Sequence, residues 1–405
     1  MQSSVRRFEM VEGSASKFWE VGQDGASFTV VYGRIGTAGQ SKTTACASPE
    51  AARAEVDKLV REKTKKGYQE LGVAEKNWRP PAHVDTGSHI ERFLNYKVAG
   101  FNPDADPEDV DEESGRREFP TLRDLDKRVF RVGIQSYEDA EEDFATRLDA
   151  LLADKRVGEL RGLVIGGWFS EVCEAGPTVL CERLIANASK LRALRGLFVG
   201  DIIQEECEIS WLHQSDYAPV LRALPQLEEL VVRGGEGLRF EGLAHPNLRS
   251  LTVQTGGLSG ATVRDIVAAD LPELRVLTLW LGTDDYGGDA TVADFAPLLA
   301  GDRFPKLEHL GLQDSENADD IAVAIAKSPL LARLSGLDLS MGTLSDIGGQ
   351  ALLDSPHLRG LKHLNLRYHY LSADMVKKIR ALGIEVNAGD RQEGDEDDRY
   401  VEVSE

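Results

Sequence analysis

Eight stretches of the chain repeat one pattern of apolar and polar positions, written most fully at residues 271–279 as L-x-x-L-x-x-L-x-L. The middle leucines are Leu163, Leu197, Leu230, Leu251, Leu277, Leu310, Leu337 and Leu364. Three residues before each stands another leucine, from Leu160 to Leu361, and two residues after each stands Ile165, Val199, Val232, Val253, Leu279, Leu312, Leu339 or Leu366. All 24 of these positions are aliphatic in a chain that is 41% hydrophobic, which removes chance as an explanation. Alternation at the end of each copy is strand-like, because side chains on a strand point to opposite faces in turn. One copy is too short to bury its own apolar edge, so the copies must stack.

Successive middle leucines lie 34, 33, 21, 26, 33, 27 and 27 residues apart. A period near 27 holds a strand, a helix and two connections, and 3.6-residue periodicity predicts helices at 178–190, 261–269, 292–299, 318–327, 346–353 and 373–382. The expected fold class is α/β: a leucine-rich-repeat solenoid of parallel inner strands and outer helices, similar to ribonuclease-inhibitor-like repeats, over residues 157–388. Residues between and beside the ladder positions then face a concave surface. Its first half is small and apolar. Its second half offers an aromatic, imidazoles, amides and arginine, the chemistry of protein-binding hot spots. The candidate partner-binding residues are Arg233, Gln254, Trp280, His309, Gln313, Asp338, His363, Asn365 and Arg367.

Before the repeats, alternation predicts strands at 16–21, 27–32 and 41–46, with a turn at Gln23-Asp24-Gly25. Ser48 followed by Pro49 predicts the start of a helix that ends at Gly67. Phe18-Trp19-Glu20, Gly33-Arg34-Ile35-Gly36, Gly39-Gln40-Ser41-Lys42 and Lys65-Lys66-Gly67-Tyr68 resemble the spaced motifs of the WGR domain. The resemblance covers residues 1–72 and implies a small antiparallel sheet-plus-helix module. In DNA-dependent poly(ADP-ribose) polymerases such a module grips DNA ends, its motif tryptophan stacking on a terminal nucleotide. That tryptophan is Tyr32 here, and nothing downstream resembles the transferase domain of those enzymes. The resemblance implies possible nucleic-acid contacts at Trp19, Tyr32, Arg34, Lys42, Lys65 and Lys66. The combination with the repeats resembles a bacterial group of WGR-plus-leucine-rich-repeat proteins, through to the Arg399-Tyr400-Val401 ending.

Charge alters this picture. Residues 1–76 hold 12 basic and 10 acidic side chains, so with −21 overall the remainder carries about −23 and repels nucleic acid and anionic membrane. Residues 73–127 read as an acidic, partly mobile connector, 128–156 as an N-terminal cap with a helix over 137–154, and 389–405 as an acidic tail in which residues 400–403 can dock as an edge strand. Acidic side chains concentrate in two long rim loops that leave strand ends: Asp201, Glu205, Glu206 and Glu208 in one, Asp284, Asp285 and Asp289 beside Tyr286 in the other, with Asp314 placed like Asp201. Cys46, Cys173, Cys181 and Cys207 lack C-x-x-C spacing, which argues against zinc and fits a reducing cytoplasm where thiols stay free. No apolar run is long enough to span a bilayer. There is no nucleophile elbow and no P-loop. The sequence therefore points to a cytoplasmic, monomeric, non-catalytic scaffold without cofactor or metal. In this reading the concave face and rim loops hold a protein or peptide, and the WGR module supplies a second contact. The alternative is a nucleic-acid-linked regulator in which that module touches DNA.

Overall fold

The computed structural model describes residues 6–12, 15–34, 40–66, 68–71, 86–106, 116–134, 144–168, 176–395 and 398–404. The chain divides into two compact units, Met1–Trp78 and Arg79–Glu405.

In the first unit, β1 (Arg6–Glu12), β2 (Ala15–Asp24), β3 (Ser27–Arg34), β4 (Gln40–Ala45) and β5 (Gln69–Leu71) form an antiparallel sheet of order β4-β3-β2-β1-β5. The register sets Phe8 opposite Trp19 and Trp19 opposite Tyr32. Helix α1 (Pro49–Lys65) starts where the Ser48 hydroxyl accepts the Ala51 N–H. It buries Ala52 and Val56 against Phe8, Trp19, Val21 and Phe28. Polar residues cover its other faces, so only one stripe of this helix is committed to the core.

The second unit holds β6 (Arg92–Phe93), β7 (Tyr96–Phe101), β8 (Glu118–Phe119), β9 (Arg128–Val132), β10 (Gly162–Ile165), β11 (Gly196–Val199), β12 (Glu229–Arg233), β13 (Ser250–Gln254), β14 (Val276–Gly282), β15 (His309–Ser315), β16 (Gly336–Asp338), β17 (His363–Asn365) and β18 (Glu385–Asn387). From β18 back to β9 each strand pairs with the next in chain order, and all of these pairings are parallel. The middle leucines are direct cross-strand partners from Leu163 to Leu364, and the register continues to Phe130 at one end and Val386 at the other. They stack in one buried core with the helices that return between strands: α2 (Phe144–Ala153), α3 (Thr178–Ala186), α4 (Ala218–Ala223), α5 (Gly260–Ala268), α6 (Ala296–Leu299), α7 (Ala318–Lys327), α8 (Asp346–Asp354) and α9 (Ala373–Arg380). Ser259, Ser345 and Ser372 cap α5, α8 and α9 through their side-chain oxygens, which fixes where each helix begins.

Several expectations shift. The helix expected over 178–190 stops at Ala186, where Asn187 turns its amide back onto the Arg183 carbonyl. The 292–299 helix is a 3₁₀ turn over Val292–Phe295 that runs into α6. The described part of the 137–154 helix begins at Phe144, and most of the expected connector, at 72–85 and 107–115, lies outside the described residues. Described connector residues include β6, β7 and β8, so this stretch adds strands to the sheet. Not every thiol is free: Cys207 is disulfide-bonded, while Cys46 and Cys181 are free. Among the described residues no helix is long and apolar enough to cross a membrane.

Two features prepare the site. The β6–β7 hairpin turns through Leu94 and Asn95, both at positive φ, and lays Phe93 against Val164, Phe198 and Val231 on the face away from the leucine ladder. A Cβ on Gly196 would come within 2.8 Å of both Phe93 and Leu94, so the small residues of the first half of that face make room for the hairpin. At the other feature, the strand exits, the backbone passes through the left-handed region at Gly200, Gly234, Gly282, Asp314, Met341, Tyr368 and Asp390. Four of these are not glycine, and such positions carry local strain.

Candidate functional site: the rim at the carboxyl ends of the strands

The sequence-predicted binding residues converge on this rim, but most face inward. Trp280 is fully buried, and its indole N–H donates to Gln313 Oε1 at 3.0 Å. The Gln313 amide donates to Ser340 Oγ at 3.0 Å, Ser340 Oγ donates to Asp338 Oδ1 at 2.6 Å, and Asn365 Nδ2 donates to Asp338 Oδ2 at 2.8 Å. One hydrogen-bonded line thus runs across β14 to β17. Buried polar side chains need such partners, and here they find them in each other. Arg233 is buried too, donating to Gln254 Oε1 at 3.1 Å and to the Ile202 carbonyl at 2.9 Å over the Phe198 ring. His309 is buried, and desolvation, aided by the charges of His363 and Lys362, lowers its pKa to about 4. His363 is half-exposed and pairs with Glu385 at 3.1 Å. The expectation of a presented aromatic, amide and arginine surface is therefore corrected: these side chains knit the strands together.

Asp201 and Asp314 occupy equivalent positions after their ladder leucines, and both are buried. Their surroundings differ in sign. Asp201 Oδ2 lies 2.9 Å from Arg131 Nε, 3.6 Å from Arg116 Nη2 and 3.5 Å from His89 Nδ1, while Oδ1 accepts the Ile90 N–H at 2.9 Å. Burial alone would raise this carboxyl, but the His89 hydrogen bond and the charges of Arg131, His89 and Arg116 hold it far below the usual range. Asp314 faces an acidic neighbour in place of those cations. Burial, and then the charge of Glu402, push it well above the usual range, against the opposing hydrogen bond from the Val403 N–H. Its Oδ2 is buried with no hydrogen-bond partner.

Glu402 and Val403 belong to the C-terminal tail, which fills the second half of the rim. The Glu402 N–H donates to the Met341 carbonyl at 2.8 Å, and its carboxylate meets Arg367, whose other nitrogen donates to Asp390 Oδ2 at 2.7 Å. Val403 packs against Ile209, Trp280 and Met341. Tyr368 and Tyr370 hydroxyls donate to the Val401 and Tyr400 carbonyls at 3.3 and 3.2 Å. Arg367 is thus committed within the chain. Met341, Ile209, His89, Arg116 and Arg131 were not singled out from sequence, since each acts through a contact far away along the chain. The left-handed Met341 had no visible signal, a bulky residue being unusual there.

What remains exposed lies outside this line. Glu205, Asp284, Asp285 and Asp289 are exposed, with Glu206, Glu208 and Tyr286 half-buried. Asp289 accepts the Gly260 N–H at 2.6 Å, and Glu206 accepts the Ile203 N–H at 3.0 Å, so both also shape backbone. Burial and the charges of Asp284 and Asp285 push the Glu316 carboxyl up. Glu316, Asp319, Asp320, Ile347 and Arg399 line a cleft of about 430 Å³ with Asn317 and Thr343. Trp211 is 56% exposed, Ile347 63% and Tyr400 70%, large apolar surfaces left uncovered. Among the described residues no three His, Cys, Asp or Glu side chains are grouped to hold a metal ion.

In the first unit Tyr32, Lys42, Lys65 and Lys66 are exposed. Trp19 is not: it is buried against Phe8 with Lys63 Nζ 5.5 Å from its ring, because its side chain falls on the face that α1 covers. The Arg34 side chain and Ile35 to Gly39 lie outside the described residues.

Residues 4–75 match the family model of the WGR domain. YfeS of Escherichia coli K12 is 37% identical over 65 residues, 16% of this chain, and the match spans 27% of that protein's length. A crystal structure of a Bacteroides fragilis protein is similar over 98% of this chain and 99% of that one, with a TM-score of 0.63 and 31% identity.

Proposed function

We propose, from the premise that this WGR-containing chain belongs to the family of the Bacteroides fragilis protein, that it is a non-catalytic binding protein whose second unit is a leucine-rich-repeat solenoid. Its rim at the strand ends takes a protein or peptide partner, and the WGR module makes a second contact. The observation that carries this reading is that Trp211, Ile347 and Tyr400 are exposed, as are Glu205, Asp284 and Asp285, and that Ile347 lines one cleft with the half-buried Glu316. Large exposed aromatics rimmed by charge are typical of interaction surfaces. A partner suited to it presents apolar anchors flanked by basic side chains. The many buried polar groups under the rim, from Trp280 to Asn365, hold the platform rigid so that its loops lose little freedom on binding.

The test is recovery of partners from the native host with the intact chain, Trp211→Ala, and the double change Asp284→Lys with Asp285→Lys. Each variant should lose most of the bound partner at unchanged melting temperature. Undiminished recovery with both would remove the rim from the binding surface.

A second reading rests on the exposed Tyr32 with Lys42, Lys65 and Lys66, which suit base stacking and phosphate contacts. In that case the intact chain should shift nicked or blunt DNA with a salt slope of about 0.9 per phosphate contact, and Tyr32→Ala with Lys65→Glu should abolish the shift. Binding to none of these DNAs at low salt would dismiss it.

A further inference from the structure

The tail does not merely finish the ladder. Strand β18 already closes it at Val386, yet the chain returns and runs back over the earlier strand ends. It passes Tyr370 and Tyr368 after β17, Met341 after β16, Asp314 in β15 and Trp280 in β14, and brings Ser404 against Gly256 after β13. Its contacts alternate. Val401 and Val403 are buried, Glu402 between them meets Arg367, and main-chain groups of residues 400–403 bond the rim. A neighbouring turn of core would need apolar area only. This groove instead supplies a fixed cation, a carboxyl for an N–H, two tyrosine hydroxyls for carbonyls and an apolar socket, the elements by which an extended peptide is read.

Two further observations mark the groove as more than packing. Asp314 Oδ2 is buried and unpartnered, a cost that folding alone does not require. Asp314, Met341 and Tyr368 all hold positive φ, at 55°, 71° and 56°, where glycine would be relaxed.

We infer that this groove is a peptide-recognition site and that Tyr400 to Ser404 is its resident ligand in cis. Its partner is an extended segment in which an acidic residue stands between two aliphatic ones, with the basic side chains that suit the acidic rim loops lying outside this core, and binding requires the tail to leave. The inference rests on the binding-protein reading above and assigns that reading its site and its control. Closed, the tail covers Trp280 and occupies Arg367; open, it exposes both.

The experiment uses the chain lacking residues 399–405 and a fluorescent peptide of those seven residues, Arg399 to Glu405, followed by anisotropy. The shortened chain should bind the peptide, with a Glu402→Lys peptide at least ~10-fold weaker. The intact chain should bind it ~100-fold more weakly, since a short tether supplies roughly millimolar effective concentration. A shortened chain that is folded by circular dichroism yet does not bind overturns the proposal, as does equal binding by intact and shortened chains. Should the shortened chain not fold, Val403→Asp in the intact chain frees the tail by placing a charge against Trp280. That variant must then bind the peptide, and loss of fold in both shows the tail to be an integral part and also overturns the proposal. A host partner that the shortened chain retains against excess peptide leaves the binding reading intact and removes this one. Peptide binding with no host partner does the reverse.

Discussion

At the scale of single residues, Asp201 and Asp314 show how one position in a repeat is put to opposite electrostatic use. For Asp201 the folded carboxyl is held low by His89, Arg131 and Arg116. Its stabilisation is therefore present above the unfolded pKa and lost as pH falls. Asp201→Asn removes the buried anion that Arg131 Nε meets at 2.9 Å and should cost about 3–5 kcal/mol at pH 7. Urea unfolding that shows under 1 kcal/mol would contradict this account. Asp314 runs the other way. The groups facing it are Glu402 of the tail and Tyr368 after β17, while Arg367 is held by Glu402 and Asp390. Its folded carboxyl titrates well above the ordinary value. Near pH 3 both folded and unfolded forms are protonated. As pH rises past the unfolded pKa only the unfolded form gives up its proton, so stability falls until the folded pKa is reached. Asp314→Asn keeps the shape, tolerates the left-handed backbone and cannot ionise. It should melt higher than the parent at pH 8 and level with it near pH 4. Parallel melting curves for the two proteins across that range would refute a neutral, buried Asp314.

Among the elements, the repeats were the legible part, and the reason is periodicity. The leucine columns predict register because a strand has only two faces, and one of them is apolar at every copy. The helices at 318–327, 346–353 and 373–382 were read within two residues of α7, α8 and α9, since amphipathic spacing marks all three and serine caps mark the starts of α8 and α9. The short α4 and the β6–β7 hairpin were not read, having too few residues to show a period. The hairpin nonetheless explains a feature that the sequence displayed without a cause: glycines at 162 and 196 where side chains could have faced outward. Gly196→Val would drive two methyl groups toward Phe93 and Leu94 and should destabilise the chain by about 1–3 kcal/mol. Phe93→Ala alone should cost about 3–5 kcal/mol by opening a cavity. Together they should cost less than their sum, because the valine occupies part of the vacated space. Strict additivity in denaturant titrations would mean that the two positions do not meet.

For the whole molecule, the candidate site was hidden for a physical reason. A strand-end side chain has two destinies, solvent or a covering segment, and local sequence is the same for both. Trp280 and Arg367 look like binding residues because they are the right chemistry in the right column; what buries or occupies them lies more than 30 residues away, in Val403 and Glu402. Covering segments of this kind differ in stability from what they cover. The ladder strands share one continuous core, so their amides open only with the unit as a whole. The tail is joined to that core by Val401, Val403 and a few hydrogen bonds, and it follows an exposed acidic stretch at Glu393 to Asp395. Native-state hydrogen exchange should separate the two. The Val403 amide, bonded to Asp314, and the Glu402 amide, bonded to Met341, should exchange at least ~100-fold faster than those of Leu310 and Leu337, a gap of about 2.7 kcal/mol in opening free energy. Asp314→Asn should slow exchange at 402 and 403 at pH 8, and slow the ladder amides by no more than its gain in global stability. If tail and ladder amides exchanged at one common rate, the tail would open only with the whole unit, and a groove that a partner can enter would be ruled out.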